Sequence, residues 1–320
     1  MSLRHIARHF LSVALLAAIC AAASAQETTP AIKGVVNAGT AIQLVKDGFE
    51  AVEGPVHDAS GGLLFTNNRM SRIVRVAPDG NVATWYEGKG APNALSYTTK
   101  GELVATLHEN LAIGILKPGE APRVLVGTFE GNAFNRPNDL VADKRGNIYF
   151  TDSVSLTATA PPVIPSAVYQ ITADGKLVRI TTEIERPNGI ALSPDERTLF
   201  VANTAGEWIY AYELDAKGTP GKRREFAKLS LPPPAANAAP STNSGADGIA
   251  VDDKGRIYVA TTIGVQVFSA KGEALGNIVL PKQPQNLAFA GKSLSDLYVV
   301  GRGAVYRIAT QTHGVKRAGK

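Results

Sequence analysis

The chain has 320 residues, enough for one large domain or two ordinary ones, and its 44% hydrophobic and 19% charged residues are typical of a soluble globular protein. Its 33 basic and 28 acidic residues give a net charge of +5. The basic residues form no stripe with interleaved aromatic side chains, so the sequence argues against a nucleic-acid-binding protein.

The N-terminus has the pattern of a secretory signal peptide. Basic residues precede an apolar run at residues 10–23, and Ala23-Ser-Ala25 fits the small-residue cleavage pattern. The run is shorter than the roughly 20 residues that span a bilayer, which argues against a retained anchor. We therefore expect removal of residues 1–25, a periplasmic or secreted location, and no membrane attachment of the mature chain.

The single cysteine of the chain, Cys20, falls within this segment. A lipoprotein would be anchored through such a residue, but Ile19 is bulkier than the small residue normally found before a lipidated cysteine. Once Cys20 is removed, the mature chain has no thiol. This excludes disulfides, a cysteine nucleophile and a thiolate metal site.

A repeat begins after a lead-in segment, residues 26–45. Each copy has a short turn with a Glu, Asn, Asp or Gln, an apolar run, a second turn and another β-rich run. The clearest copy is Arg186-Pro-Asn-Gly-Ile-Ala-Leu-Ser-Pro-Asp195, followed by Thr198-Leu-Phe-Val-Ala202. The first turns and runs of the six copies lie at residues 53–56, 92–95, 137–140, 187–190, 246–249 and 284–287.

Further runs with period-2 alternation lie between the copies, such as Ala167-Val-Tyr-Gln-Ile171, and Asp-Gly or Lys-Gly turns flank several of them. These runs predict strands in hairpins. About four strands per unit, repeated roughly every 40–50 residues, is typical of propeller blades. The sequence therefore predicts an all-β, six-bladed β-propeller with four-stranded blades over residues 46–310, and a flexible tail at 311–320. A pair of β-sandwiches is the alternative, but it would not explain the recurrent polar position.

The recurrent polar residues would converge because the innermost strand of every blade lines the central channel. Carboxylate and amide oxygens suit a hard cation such as Ca²⁺ or Mg²⁺, whereas zinc more typically recruits His or Cys. Each residue could instead only cap its own turn. A Glu in the first copy and an Asp in the fifth favour the metal-binding channel. The candidates are Glu53, Asn93, Asn138, Asn188, Asp247, and Gln285 or Asn286.

Other polar residues and loops have a structural alternative. Asp143, Asp195 and Asp252 lie in second turns and are expected to form those turns. Asp152 follows Tyr149-Phe-Thr151, and either binds near the ring or caps a hairpin. Loops at 157–165 and 229–244 either shape the mouth of a pocket or are plain surface excursions.

Five stretches carry a resemblance to a known family. They are Glu53-Gly-Pro, Arg136-Pro-Asn-Asp139, Thr151-Asp152, Glu185-Arg-Pro-Asn-Gly-Ile-Ala-Leu-Ser-Pro-Asp195 and Asp247-Gly-Ile-Ala-Val-Asp252. Together they resemble the senescence marker protein/gluconolactonase family, which includes regucalcin, over about residues 45 to 310. The resemblance implies a six-bladed β-propeller with a divalent cation in its channel, and lactone hydrolysis as the activity.

The resemblance also implies roles for individual residues. It places metal ligands at Glu53, Asn188 and Asp247, and makes Asn138 a further ligand or a substrate contact. Arg136 would bind substrate, and Asp247 would be the general base. The sequence departs from the family where His57 follows Glu-Gly-Pro-Val and where Ser-Val-Ser-Leu-Thr follows Asp152. The full set of expected substrate contacts is Arg136, Asn138, Asn93, Asp152 and His57.

The expected mechanism is hydrolysis assisted by one divalent cation, foremost Ca²⁺, with Mg²⁺, Mn²⁺ or Zn²⁺ as alternatives. The cation would polarise a lactone carbonyl and hold a water from which Asp247 removes a proton. A serine nucleophile is disfavoured because no Gly-x-Ser-x-Gly elbow occurs. The partner would be a small lactone or ester acted on by a monomer. A non-catalytic binding propeller with a structural cation, or a hydrolase of aryl esters or phosphotriesters, are the alternatives.

Overall fold

The strands and their order follow from a computed structural model that describes residues 27–154, 161–234, 239 and 241–316. The predicted signal peptide and parts of both long loops lie outside these residues. Among the described residues, no helix is long and apolar enough to cross a membrane. One short 3-10 helix spans Asn68–Met70.

The described strands form six four-stranded antiparallel sheets, which confirms the predicted propeller. The first sheet holds β2 (Val52–His57), β3 (Leu63–Asn67), β4 (Arg72–Val76) and β5 (Val82–Glu87), and the second holds β6 (Pro92–Tyr97), β7 (Leu103–Leu107), β8 (Ala112–Leu116) and β9 (Arg123–Val126). A small hairpin follows, made of β10 (Thr128–Phe129) and β11 (Asn132–Ala133). The third sheet holds β12 (Pro137–Ala142), β13 (Ile148–Asp152), β14 (Ala167–Ile171) and β15 (Leu177–Thr181).

The remaining sheets continue the same order. The fourth holds β16 (Pro187–Leu192), β17 (Thr198–Asn203), β18 (Trp208–Leu214) and β19 (Pro220–Lys228), and the fifth holds β20 (Ile249–Val251), β21 (Ile257–Thr261), β22 (Gly264–Phe268) and β23 (Ala274–Ile278). The sixth holds β24 (Asn286–Ala290), β25 (Asp296–Gly301) and β26 (Ala304–Ala309), with β1 (Gln43–Lys46) as its outermost strand. The first strand of the chain therefore completes the last blade.

The hydrophobic core is divided among the seams between blades. Each of six buried apolar clusters combines side chains of two neighbouring sheets. Leu140 and Phe150 of the third blade, for example, pack with Ala94 and Ile113 of the second. Because both faces of a blade are covered, the inner strands read as continuous apolar runs instead of alternating ones.

The ends of the propeller differ from the predicted boundaries. It begins at Gln43 instead of residue 46, because β1 pairs with β26. In the lead-in, Ile32, Val35 and Ile42 are buried against the fifth and sixth blades. Residues 311–316 belong to the predicted flexible tail, yet Gly314 N donates to Leu294 O at 2.8 Å and Asp253 N to the backbone oxygen of residue 313 at 2.8 Å. This part of the tail is tied to the last two blades.

Candidate functional site

The inner strands β2, β6, β12, β16, β20 and β24 pack side by side around the channel. The recurrent polar residue is the second residue of the inner strand in the first four blades and lies just before that strand in the last two. In the first four blades the pairing register shifts at this point, as between Glu53 and Val56 or between Pro187 and Ile190. Such a bulge changes the direction in which the side chains at that point are oriented. We call the six residues Glu53, Asn93, Asn138, Asn188, Asp247 and Gln285 the ring.

The ring contains a closely packed acidic half. Glu53 is buried, and its Oε2 accepts hydrogen bonds from Gly54 N at 3.1 Å and from Asn286 Nδ2 at 3.0 Å. Gln285 Nε2 lies 3.5 Å from Glu53 Oε1. The sixth blade thus supports the carboxylate of the first.

The Asp247 carboxyl group is surrounded by protein and by other acids. The residue as a whole keeps some solvent contact, but burial of the carboxyl group and the charges of Glu53 and Asp139 raise the pKa of Asp247 well above its usual range. A hydrogen bond from Asn188 and the nearby Arg186 act in the opposite direction. Two carboxylates this close repel each other unless a proton or a cation lies between them.

Asn188 presents an amide oxygen that has no hydrogen-bond partner in the described part of the chain. Its Nδ2 donates to Thr204 Oγ1 at 3.0 Å, whereas its Oδ1 is buried and accepts no hydrogen bond from any described residue. A buried acceptor without a donor is costly. An oxygen-bound cation would relieve both this cost and the repulsion between Glu53 and Asp247, so these three residues fit a hard divalent cation.

In the part of the chain that the structure describes, acidic side chains alone do not form a metal site at the ring. Among the described residues, no group of three or more His, Cys, Asp or Glu side chains is arranged to hold a metal ion. A cation at the ring would therefore depend on amide oxygen as well as on carboxylates. This agrees with the predicted mixture of ligands and does not test it.

The amide half of the ring is linked by hydrogen bonds. Asn68 Nδ2 donates to Asn93 Oδ1 at 2.7 Å, and Asn93 Nδ2 donates to the backbone oxygen of Asn138 at 3.0 Å. Asn138 Oδ1 lies 3.4 Å from the same Nδ2. Asn93 and Asn138 are therefore brought together as predicted sites, and their roles stay predictions.

Asp139 was missed as a site residue. It is buried directly after Asn138, and its two carboxylate oxygens accept from Leu140 N at 2.8 Å and Ile190 N at 3.3 Å. The negative charge of Asp139 contributes to the raised pKa of Asp247. The signal was present in the repeat, because the equivalent residues of four other copies are Gly54, Ala94, Gly189 and Gly248.

Two arginines stand beside the ring, each directly before the proline that opens an inner strand. The pKa of Arg186 is lowered by burial, and the negative charge of Asp247 offsets only part of this shift. Arg136 is exposed, and its Nε and Nη2 lie 3.3 and 3.1 Å from His108 Nδ1. Arg136 is thus held at the rim of the channel, where a substrate could reach it.

His108 was also missed, since nothing in its local sequence marks it. Its Nε2 lies 3.1 Å from Pro137 O, and a carbonyl only accepts, so Nε2 carries the proton. A guanidinium only donates, so Nδ1 accepts from Arg136. Burial, followed by the charge of Arg136, lowers the pKa of His108 to about 3. The ring of His108 is neutral at physiological pH.

Asp152 has the capping role that was its structural alternative. Its Oδ1 accepts from Arg136 N at 2.6 Å, and its Oδ2 from Asn135 N and Nδ2, both at 3.0 Å. The carboxylate is fully buried, and burial raises its pKa. Asn203 Oδ1 accepts from Arg186 N at 3.1 Å in the same way. Asp152 therefore orders the segment that carries Arg136 instead of facing a ligand itself.

His57 is not brought to the ring. It is the last residue of β2, whereas Glu53 is the second residue of that strand, so the two side chains lie at opposite ends of the strand. His57 lines a small cavity with Ala250, Phe289 and Val315 at the far end of the channel. This placement separates His57 from the other expected substrate contacts, and its role as a substrate contact stays a prediction.

Comparison with known proteins agrees with the geometry. The family model described as SMP-30/Gluconolactonase/LRE-like region matches residues 51–302. A gluconolactonase from Zymomonas mobilis subsp. mobilis is 29% identical over 312 residues, covering 89% of this chain and 86% of its own. A pentonolactonase from Haloferax volcanii is 24% identical, covering 82% and 86%.

Solved structures show the same fold. A gluconolactonase from Xanthomonas campestris superimposes with a TM-score of 0.75 at 27% identity, covering 85% of this chain and 90% of its own. A calcium-binding regucalcin from Agrobacterium tumefaciens gives 0.72 at 19% identity, covering 86% and 95%. Because the family model matches most of the described propeller, the chain belongs to the SMP-30/gluconolactonase/LRE-like family.

Proposed function

We propose that the protein is a lactonase that uses a divalent cation and water to open a lactone ester. The observation that carries the proposal is the buried, unpartnered Asn188 Oδ1 beside the carboxylates of Glu53 and Asp247. Relatives named gluconolactonase and pentonolactonase support the substrate class. The signal-peptide pattern supports a location in the periplasm or outside the cell, and we propose that the enzyme acts as a monomer.

Glu53, Asn188 and Asp247 would hold the cation, with Asn138 as a further ligand. Ca²⁺ suits this set best, because it accepts carboxylate and amide oxygens in flexible geometry. The calcium-binding relative from Agrobacterium tumefaciens supports that choice. The bound cation would polarise the lactone carbonyl and stabilise the negative charge that develops on its oxygen.

Asp247 is the proposed general base. In the cation-free protein its neighbours Glu53 and Asp139 raise the pKa of Asp247, and its carboxylate stands among the proposed cation ligands, where it could take a proton from a water molecule. The water oxygen forms a bond to the carbonyl carbon, the bond from that carbon to the ring oxygen breaks, and the proton held by Asp247 passes to the departing oxygen. The product is a hydroxy acid, which releases one proton to the solvent.

The chain's other polar residues would orient the substrate. Arg136, fixed by His108 and by Asp152, offers guanidinium donors at the rim, and Asn93 and Asn138 offer amide groups on the same side. Donors and acceptors of this kind suit a lactone that carries hydroxyl groups.

The test is acid release, followed with a pH indicator, from a panel of lactones, aryl esters and phosphotriesters. Purified protein is assayed with Ca²⁺ and with a chelator, beside Asp247→Asn and the control Asp215→Asn, which changes an exposed turn residue. We expect cation-dependent opening of a lactone by wild type and Asp215→Asn only. No acid from any lactone would favour a binding propeller, and full activity of Asp247→Asn would refute the general base.

A further inference from the structure

Behind the proposed ligands lies a layer of neutral side chains that determines how those ligands are oriented. Thr204 is the clearest member. Its Oγ1 lies 2.7 Å from Ala246 O and 3.0 Å from Asn188 Nδ2. The carbonyl can only accept, so the hydroxyl proton points to Ala246 and the oxygen is left to accept from Asn188.

This assignment decides the orientation of the Asn188 amide. Since Thr204 Oγ1 accepts, the group facing it must be the NH₂, and Oδ1 must point the opposite way. That oxygen is the buried acceptor without a partner among the described residues. If the amide were turned over, two acceptors would face each other at Thr204, and the NH₂ would face the place where a cation binds.

Asn286 supports Glu53 by the same logic. Its Oδ1 accepts from Leu287 N at 2.9 Å, so its Nδ2 faces Glu53 Oε2 at 3.0 Å. Gln285 is fixed similarly, because its Oε1 accepts from Arg302 N at 2.9 Å and its Nε2 faces Glu53 Oε1. Asn286 fits only because the neighbouring residue is Gly248, where a Cβ would come within 2.0 Å of Asn286 Oδ1.

Thr204 is not a repeated structural threonine. In the first three blades, Thr66, Thr106 and Thr151 donate to a backbone oxygen of the next inner strand, at 2.8, 3.0 and 2.8 Å. The fourth blade has Ala202 at the equivalent place, two residues before Thr204. Ser153 holds the position equivalent to Thr204 in the third blade, and its hydroxyl likewise donates to a backbone oxygen of the next blade, Pro187 O. Thr204 differs from Ser153 in its second bond, which its oxygen accepts from the Asn188 side chain.

We propose that Thr204 and Asn286, with a smaller contribution from Gln285, are positioning residues that orient Asn188 and Glu53 for cation binding. The inference rests on the proposed cation site but not on the reaction performed there. Hydrogen-bond partners behind metal ligands typically change metal affinity by about 10- to 100-fold when they are removed. Thr204 acts through its hydroxyl, and its methyl group is dispensable.

The first experiment is calorimetric titration of chelator-treated protein with CaCl₂. Thr204→Val keeps the shape of the side chain and removes the hydroxyl, so we expect affinity to fall by roughly 10- to 100-fold. Thr204→Ser keeps the hydroxyl and is expected to stay within about threefold of wild type. Wild-type affinity in Thr204→Val, or an equal loss in Thr204→Ser, would overturn the proposal.

The second experiment compares Asn286→Ala with Gln285→Ala in the same titration. The larger loss is expected for Asn286, because its hydrogen bond to Glu53 is 3.0 Å and that of Gln285 is 3.5 Å. Unchanged affinity in Asn286→Ala would remove Asn286 from the proposal.

The matched control is Thr312→Val. Thr312 is a buried threonine that accepts from Arg256 and donates to Asp252, remote from the ring. We expect it to lower the melting temperature of the cation-free protein and to leave Ca²⁺ affinity unchanged. An equal loss of Ca²⁺ affinity in this control would mean that the loss in Thr204→Val reflects lower overall stability, which would contradict the proposal. Absence of Ca²⁺, Mg²⁺ and Mn²⁺ binding by wild type would instead refute the proposed cation site.

Discussion

The Asn286 side chain donates a hydrogen bond to the Glu53 carboxylate at 3.0 Å, joining residues 233 positions apart. Asn286 belongs to the last inner strand and Glu53 to the first, so this bond crosses the seam at which the propeller closes. Charge-assisted hydrogen bonds are among the stronger ones in proteins. Ring closure and the orientation of a proposed cation ligand therefore depend on the same contact.

Asp247→Asn should stabilise the cation-free protein at neutral pH. The pKa of Asp247 is raised in the folded state, so its contribution to stability is fully present below the unfolded value and is lost as the pH rises through the folded value. The neutral amide of the variant avoids the cost of placing a negative charge in a buried position beside Glu53 and Asp139. Melting in chelator at pH 4, 5.5 and 7 should show an advantage of the variant that grows with pH. A variant less stable than wild type at pH 7 would contradict the repulsion.

Addition of Ca²⁺ should stabilise wild type and leave Asp247→Asn nearly unaffected. A ligand that binds only the folded state at 100 times its dissociation constant adds about 2.7 kcal/mol. For a protein of this size, that corresponds to a rise of several degrees in melting temperature, which a chelator should reverse. A Ca²⁺-independent melting temperature in wild type would count against the cation site.

His108→Leu should weaken substrate binding with little effect on turnover. The variant releases the Arg136 guanidinium from Nδ1, and one hydrogen bond of about 0.5–1.5 kcal/mol corresponds to a KM increase of roughly 2- to 10-fold. The control is His313→Leu, which changes an exposed histidine of the tail.

The low pKa of His108 also predicts a pH profile. Because this pKa is about 3, the ring stays neutral and KM should not change through titration of His108 between pH 5 and 8. Its stabilising effect is complete above pH 6.5, the unfolded value, and is lost as the pH falls towards 3. A step in wild-type KM near pH 6.5 that His108→Leu abolishes would contradict the neutral ring.

Asp152→Asn should cost less stability than Asp152→Ala, because its single amide oxygen can still accept from Arg136 N, although its NH₂ cannot replace the acceptor that Asn135 uses. Asn203 caps Arg186 N with an amide oxygen in the next blade, so an amide at 152 can take over the bond to Arg136 N. The alanine leaves several donors without an acceptor, at a cost of about 2–3 kcal/mol in the free energy of unfolding. Denaturant unfolding measures both. Equal loss in the two variants would mean that the charge of Asp152, and not its shape, is required.

Repetition in the sequence was enough to predict the blades and the ring position. The recurrent turn and strand pattern defined six units, and the family resemblance separated Asp247 from the amides. The lateral contacts could not be predicted in that way. His108 meets Arg136 from another blade, and Thr204 meets Asn188 from a neighbouring strand. Contacts of this kind depend on how blades are placed beside one another, which no local pattern encodes.

His57 shows the opposite case. It lies close to Glu53 in sequence, and a side chain in a loop could have approached the ring. Because β2 continues past its bulge to His57, the same four residues carry His57 to the opposite end of the strand from Glu53. Proximity in sequence misleads wherever a strand runs along the channel axis.

The outer strand of the sixth blade, β1, comes from the start of the chain, while β24 to β26 come from its end. The ring is therefore complete only after nearly the whole polypeptide has been synthesised and its two ends have met. Before then, Glu53 and Asn286 have the local bonds from Gly54 N and Leu287 N, but the bond between their side chains cannot form. The affinity for a cation would consequently appear late in folding, so cation binding would indicate that the first and last blades have closed the propeller.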